Sequence, residues 1–417
     1  MKGMNAAAFF KKHKYKIGLA LFLVTAAAAV FFITNGVVSL GNKDPGYYAI
    51  DVLPDAQVTV FDSGLHFTLY AEGSSNEIKR TLNEASAAYS SSLERHYKLL
   101  DADNEYEGYV NLATLNARPG EAIQVSEALF AVLSDALTKT EENQGYSLFD
   151  GALFAEWRTL RYLEDPTDFD PINDPEMGER LALIAEQTRL GAPCTLRIVD
   201  ANERIVSFEM SDAYRAFLAE QEITAPPLHL NLLQDAYLIQ LVADEMAAQG
   251  FGGGYLYTDS GLSVMLNRDD RAFTLYGCID NQVVKAGDVI APPNTVFCQM
   301  TAFPLSENNY GYYTIEANGR AQYRHPWFDG QTGACSETLL SAAVLGAGKP
   351  VDTLYKMLPL VQATDAKEFA DRLLSLGDDC LLSAYSLQDD PSTLYTHAAQ
   401  NDALYLVEDA PFTAAQY

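Results

Sequence analysis

Residues 323–358, YRHPWFDGQTGACSETLLSAAVLGAGKPVDTLYKML, gather side chains that can do chemistry. His325 stands beside Pro326 and Trp327, just ahead of the turn signal Asp329-Gly330-Gln331-Thr332-Gly333. A turn of that kind can aim backbone N–H groups, a hydroxyl and an imidazole at one point. The apolar run that follows reads as a buried strand. Asp352 comes after Lys349-Pro350-Val351, where a helix begins. An acid there serves as an N-cap or first-turn charge, or as a ligand for a hard cation such as Mg²⁺.

Other familiar chemistries find no support. No G-x-S-x-G elbow occurs. The histidines His13, His66, His96, His229, His325 and His397 are scattered, without a paired metal-binding spacing. Cys194, Cys278, Cys298, Cys335 and Cys380 contain no C-x-x-C pair. Cys278 and Cys298 flank a turn region and could pair outside a cell, or could be plain buried thiols. Asp165, Asp168, Asp170 and Asp174 lie among prolines without EF-hand spacing, which reads as a solvated acidic loop. The run Gly250–Gly254 follows a helix and precedes a strand. Phosphate loops have the reverse order, so it reads as a helix stop and turn.

The formal net charge is −28, and residues 1–40 carry five lysines and no acids, so the remainder is more acidic still. Such a body repels nucleic acid, which excludes DNA- and RNA-binding readings. At the start of the chain, a basic segment (1–16) precedes an uncharged apolar run (17–40). About 20 apolar residues cross a bilayer. Lysines before the run and acids after it predict a single-pass signal anchor in the cell membrane, N-terminus cytoplasmic and body extracytoplasmic. A turn-rich linker (41–55) leads to the body, 56–417.

The elements that must position these residues are helices and antiparallel-looking strands in mixed order, an α+β pattern. Val58–Tyr70 alternates like two strands around Asp62-Ser63-Gly64. Helical periodicity covers 80–100, a stretch capped by Ser126 that ends near Asn143-Gln144-Gly145, 177–190 and 231–249. Thr195–Val199 and Ile205–Phe208 read as a hairpin. Residues 262–323 read as strands with turns at Asn267-Arg268-Asp269, Gly287-Asp288 and Asn318-Gly319.

From about residue 60 to 376, order and spacing resemble the FAD:protein FMN transferase (ApbE-like) family. Leu115-Asn116 followed by Ile123-Gln124-Val125-Ser126 looks like that family's "LN…v.vs" segment. Gly145-Tyr146 through Trp157 is similar to its "GaFDpTvgpL…W" segment. Leu230–Gln240 stands where the family has "LGGiaKGYavD", retaining Leu230 and Tyr237. Asn231 and Leu232 replace two glycines, Asp235 the lysine, Ala236 a glycine and Gln240 the aspartate. Asp329–Gly333 looks like "DPrTG", and Pro350–Leu354 resembles "aDALaTa" with Lys356 at a threonine position. Lys356 lies one helical turn from Asp352, within reach of a salt bridge.

The resemblance implies a flavin-transferase-like fold with mixed, largely antiparallel sheets and packed helices. It implies Mg²⁺-dependent cleavage of FAD and attachment of FMN to a threonine of a flavin-carrying target protein. It also implies roles: His325 and Asp352 in catalysis, Asp352 on Mg²⁺, and Asn116, Tyr237, Thr332 and Gly333 around FAD. The replacements favour an alternative, a catalytically degenerate flavin-binding or protein-interaction module on the outer face of the membrane.

Overall fold

The structure, a computed structural model, describes residues 43–417 apart from 143–144, 190–191, 267–270, 306–310, 318, 378–379 and 399–403. The basic segment and the apolar run at the start of the chain lie outside the described residues. Among those described, no helix is long and apolar enough to cross a membrane. The chain divides into two compact units. Of the described residues, the smaller comprises 43–46 and 71–83, and in it Ser74 and Glu77 cap the start of the Ser75–Leu100 helix. The larger comprises 47–70 and 84–417.

Among the described residues, one sheet has nine strands in chain order. It comprises Gly46–Ile50, Leu65–Ala71, Gly254–Thr258, Leu262–Met265, Val296–Thr301, Leu339–Gly346, Cys380–Leu387, Asp390–Ala398 and Thr413–Gln416. From Leu65–Ala71 to Asp390–Ala398 each neighbouring pair is antiparallel, and the final pair is parallel. Val296–Thr301 and Leu339–Gly346 are buried along their whole length. Their near-continuous apolar character follows, since a strand covered on both faces has no reason to alternate.

One face of this sheet meets a second sheet of Arg271–Ile279, Gln282–Ala291 and Leu404–Leu406. Leu275, Val289 and Ala291 pack there with Phe297, Leu345, Leu382 and Leu394 as one apolar cluster. The helices Gln234–Ala248 and Pro350–Met357 pack on each other and on strands of the large sheet. A third sheet joins Ala122–Gln124, Ile205–Met210 and Cys194–Asp200, which contains the expected hairpin. The α+β expectation and the largely antiparallel sheets are therefore met.

Local readings fail at three places, each for a physical reason. Val60–Ser63 is a helical turn rather than a strand. Thr59 and Asp62 form a reciprocal capping box at its start, and Gly64 closes it at φ 60°. Gly287-Asp288 is not a turn but the middle of strand Gln282–Ala291. A Cβ on Gly287 would lie 2.6 Å from the carbonyl oxygen of Tyr405, so the glycine admits the third strand of its sheet. The turn falls instead at Asp280-Asn281, where φ is 49° and 60°, the backbone of a tight two-residue hairpin.

The third is the acidic loop at 165–174. Asp170 within it is fully buried, bound by the Arg324 guanidinium through two contacts of 2.8 and 3.0 Å and by the Tyr313 hydroxyl at 2.7 Å. The turn Asn267-Arg268-Asp269 lies outside the described residues, as does Asn318 of Asn318-Gly319. Cys278 and Cys298 are buried free thiols. Burial pushes the Cys278 thiol up to about 12, so it stays protonated and inert.

Candidate functional site

The segment Leu228–Leu233 enters the Gln234–Ala248 helix and forms one wall of a cleft of about 360 Å³. Asn116 sets this wall in place. Its amide Nδ2 donates to the Leu228 carbonyl at 2.9 Å, and its Oδ1 accepts the Leu228 N–H at 3.1 Å. One side chain thereby satisfies both backbone groups of Leu228, as a paired strand would. His229 stacks on Phe154 at 4.8 Å and accepts the Asn231 N–H on Nδ1 at 2.7 Å. Burial pushes its imidazole down to about 4, so it is neutral at pH 7.

Asn231 has φ 52°, in the left-handed region. Asparagine is among the few non-glycine residues that adopt it at low cost. Its Nδ2 donates to the Ser147 carbonyl at 2.9 Å, while its Oδ1 is buried with no partner among the described residues. Trp327, which also lines the cleft, is buried as well, and its indole N–H has no partner among the described residues. Tyr97 and Phe154 add aromatic surface. Two buried, unpaired polar atoms on residues that line one aromatic cleft are what a ligand with ring edges and polar substituents would satisfy.

The charged lining is mostly acidic: Asp62, Asp101, Asp103, Asp235 and Asp259 against Arg158 and Arg161. The chain's own donors engage these carboxylates. Asp62 accepts Thr59 at 2.8 and 2.7 Å, and Asp101 accepts Tyr106 at 2.6 Å and two backbone N–H groups. Asp103 pairs with Arg158 at 3.2 Å, and Asp259 lies 3.2 Å from His66 Nε2. Burial raises the Asp235 carboxyl pKa, a hydrogen bond from Ser260 lowers it, and neighbouring Asp259 raises it further. The acids thus shape the cleft walls, and Arg158 is itself held by one of them.

His325 lies behind the cleft rather than in it. It is 1% exposed, and burial pushes its imidazole down to about 3, helped by the charge of Arg324. Its Nδ1 accepts the Trp327 N–H at 3.2 Å, and the Cys335 sulfur lies 3.6 Å away. The neutral ring therefore positions Trp327. Thr332 is exposed and donates to Asp329 at 2.8 Å. Gly333 accepts the Trp157 indole N–H at 2.9 Å. Thr332 and Gly333 line a separate groove of about 270 Å³.

Asp352 and Tyr237 meet elsewhere again, through two residues the sequence reading did not single out. Tyr237 donates its hydroxyl to Asp135 at 2.6 Å. Lys139 donates to Asp135 at 3.0 Å and to Asp352 at 2.8 Å. The Lys139 ammonium also lies 5.3 Å from the centre of the Tyr355 ring, whose hydroxyl donates to the Lys139 carbonyl at 2.8 Å. This chain joins the helices Glu127–Glu142, Gln234–Ala248 and Pro350–Met357. Lys139 and Asp352 border a cavity of about 270 Å³ that shares no lining residue with the cleft.

A signal for Lys139 was present. The apolar stripe of its helix includes Val132 and Ala136, and Lys139 follows them at i+7 and i+3. A lysine on an apolar stripe must find a buried partner.

The donor set at Asp352 does not suit Mg²⁺. The ion takes six oxygens in a near-octahedral shell. Here Asp352 is held by an ammonium, and four residues on stands Lys356. Among the described residues, no group of three or more His, Cys, Asp or Glu could hold a metal ion.

Comparison with known proteins bears on the fold. No family model matches the sequence, and no curated protein matches it. Among solved structures, the chain is similar to the ApbE protein of Thermotoga maritima, with a TM-score of 0.58 and 11% identity over 85% of this chain and 97% of that one. It also matches the flavin transferase ApbE of Vibrio cholerae, with a TM-score of 0.49 and 12% identity over 86% of this chain and 97% of that one. The fold is ApbE-like.

Proposed function

We propose that this protein is a membrane-anchored, flavin-transferase-like protein whose cleft binds FAD. The observation that carries the reading is the pair of unpaired buried atoms, Trp327 Nε1 and Asn231 Oδ1, on the aromatic cleft of an ApbE-like fold. At about 360 Å³ the cleft is at the small end of ligand sites, which span about 300–1,000 Å³. It suits one ring system of the dinucleotide, with the rest of the molecule lying across more open surface.

In this reading Asn116 and His325 are positioning residues. Asn116 holds the wall that carries Asn231, and His325 holds Trp327. The reaction is attack of a threonine hydroxyl of a target protein on the FMN phosphorus of FAD. A new P–O bond forms, the pyrophosphate bond breaks, AMP leaves, and the hydroxyl proton passes to solvent or a base. The lysines before the apolar run and the acids after it support a body outside the cytoplasmic membrane.

A specific observation favours a second reading, flavin binding or protein interaction without transfer. Five aspartates line the cleft against two arginines, which opposes a pyrophosphate. The full-length protein in detergent, titrated with FAD and followed by flavin fluorescence, decides whether the cleft binds. Incubation with FAD and a threonine-bearing acceptor then separates transfer from binding. No FAD binding below millimolar concentration rejects the proposal.

A further inference from the structure

Around Lys139 two carboxylates converge on one cation, and that cation belongs to the chain. Asp135 Oδ1 lies 3.0 Å and Asp352 Oδ1 2.8 Å from the Lys139 Nζ. Both are ordinary N–H···O distances, and the ammonium also lies within cation–π range of the Tyr355 ring. The remaining oxygen of Asp135 is taken by the Tyr237 hydroxyl. Burial of the Lys139 side chain, 8% exposed, lowers its pKa, but its bonds to Asp352 and Asp135 outweigh this and the pKa is raised overall. Two carboxylates and an aromatic ring thus hold the ammonium in its charged form. The carboxylates are 40% and 42% exposed, so solvent reaches them.

We infer that the Lys139 ammonium is the resident cation between Asp135 and Asp352, and that it excludes a divalent metal from this position. The flavin-transferase resemblance implies Mg²⁺ on Asp352, and the side chains gathered here contradict that role. A Mg²⁺ ion between the two carboxylates would have to displace Nζ and then sit beside it, two cations competing for the same oxygens. The inference goes beyond the flavin reading and does not depend on it.

The test measures metal alone. Mn²⁺ binding by the full-length protein in detergent is followed by electron paramagnetic resonance for wild type, Asp352→Asn, Lys139→Met, and Lys139→Met combined with Asp352→Asn. Methionine keeps much of the length and bulk of lysine without the charge. Wild type is expected to take up no Mn²⁺ in an Asp352-dependent way. Lys139→Met is expected to bind one Mn²⁺ at least tenfold more tightly than wild type, and the double variant to lose that gain.

Wild-type uptake of one Mn²⁺ that Asp352→Asn abolishes overturns the inference. So does a folded Lys139→Met protein that gains no affinity. If Lys139→Met fails to fold, the wild-type comparison with Asp352→Asn still decides. None of these outcomes involves FAD, so a failure here is distinct from a failure of the cleft to bind flavin.

Discussion

Asp170 and Arg324, 154 positions apart, form a two-point ion pair with side chains 0% and 4% exposed. Arg324 ends the strand Arg320–Arg324 and immediately precedes His325, so the pair anchors the segment that carries Trp327 to the cleft. A buried pair of this kind is weak evidence of net stabilisation, yet breaking it is severe because one charge stays buried alone.

Asp170→Asn is accordingly expected to destabilise the protein by about 3–5 kcal/mol. Asp170→Asn combined with Arg324→Met should recover part of that loss, because no uncompensated charge remains. Urea midpoints of the three proteins check this. A single variant as stable as wild type would rule out the buried pair.

Trp327→Phe should separate binding from folding. It keeps an aromatic ring in the cleft wall and removes a buried donor that has no partner. Stability should hold or rise slightly, while FAD affinity falls about fivefold to tenfold, the worth of about one hydrogen bond. Thermal melts and flavin titration read the two effects. Unchanged affinity would remove Trp327 from the binding site.

Asn231 tests the backbone. Glycine and alanine there both lose the bond to the Ser147 carbonyl, so their difference isolates the cost of φ 52°. Asn231→Ala should be less stable than Asn231→Gly by about 1 kcal/mol. Equal stability would mean that the left-handed conformation carries no penalty here.

Acid should weaken the fold through its neutral histidines. Burial holds His229 down to about 4 and His325 down to about 3. In the unfolded chain both titrate near 6.5. Their stabilisation is complete above about pH 6.5 and is lost as pH falls towards 4, by about 3 kcal/mol for His229 alone. Asp150 pulls the other way, because burial pushes its carboxyl up to about 6 against the charge of Arg189. Its penalty fades as pH falls from about 6 to 4. His229→Gln should therefore lose less stability than wild type between pH 7 and 4.5 in urea titrations. Identical pH slopes would argue against a neutral buried His229.

What the sequence determined by itself is local. The Ser126 cap, whose hydroxyl accepts the Leu129 N–H at 3.2 Å, and the proline at the start of Pro350–Met357 mark their helices through contacts within a turn. The apolar run of Leu339–Gly346 announces a buried strand, and mixed helices and strands announce α+β. The glycine run before Gly254–Thr258 reads correctly as a turn. These signals are legible because capping and periodicity act between residues a few positions apart.

Only the tertiary structure decided which side chains meet. An acidic residue in a loop looks the same whether water or Arg324 receives it, so Asp170 reads as solvated. His325 and Trp327 are near neighbours, yet one is buried behind the cleft and the other lines it. Asp352 carries the signature of a helix-start acid, and nothing around it in sequence names Lys139, 213 positions away. Short-range rules set the backbone of each element. The pairing of distant charges depends on how the packed elements are turned towards one another, and that depends on the whole core at once.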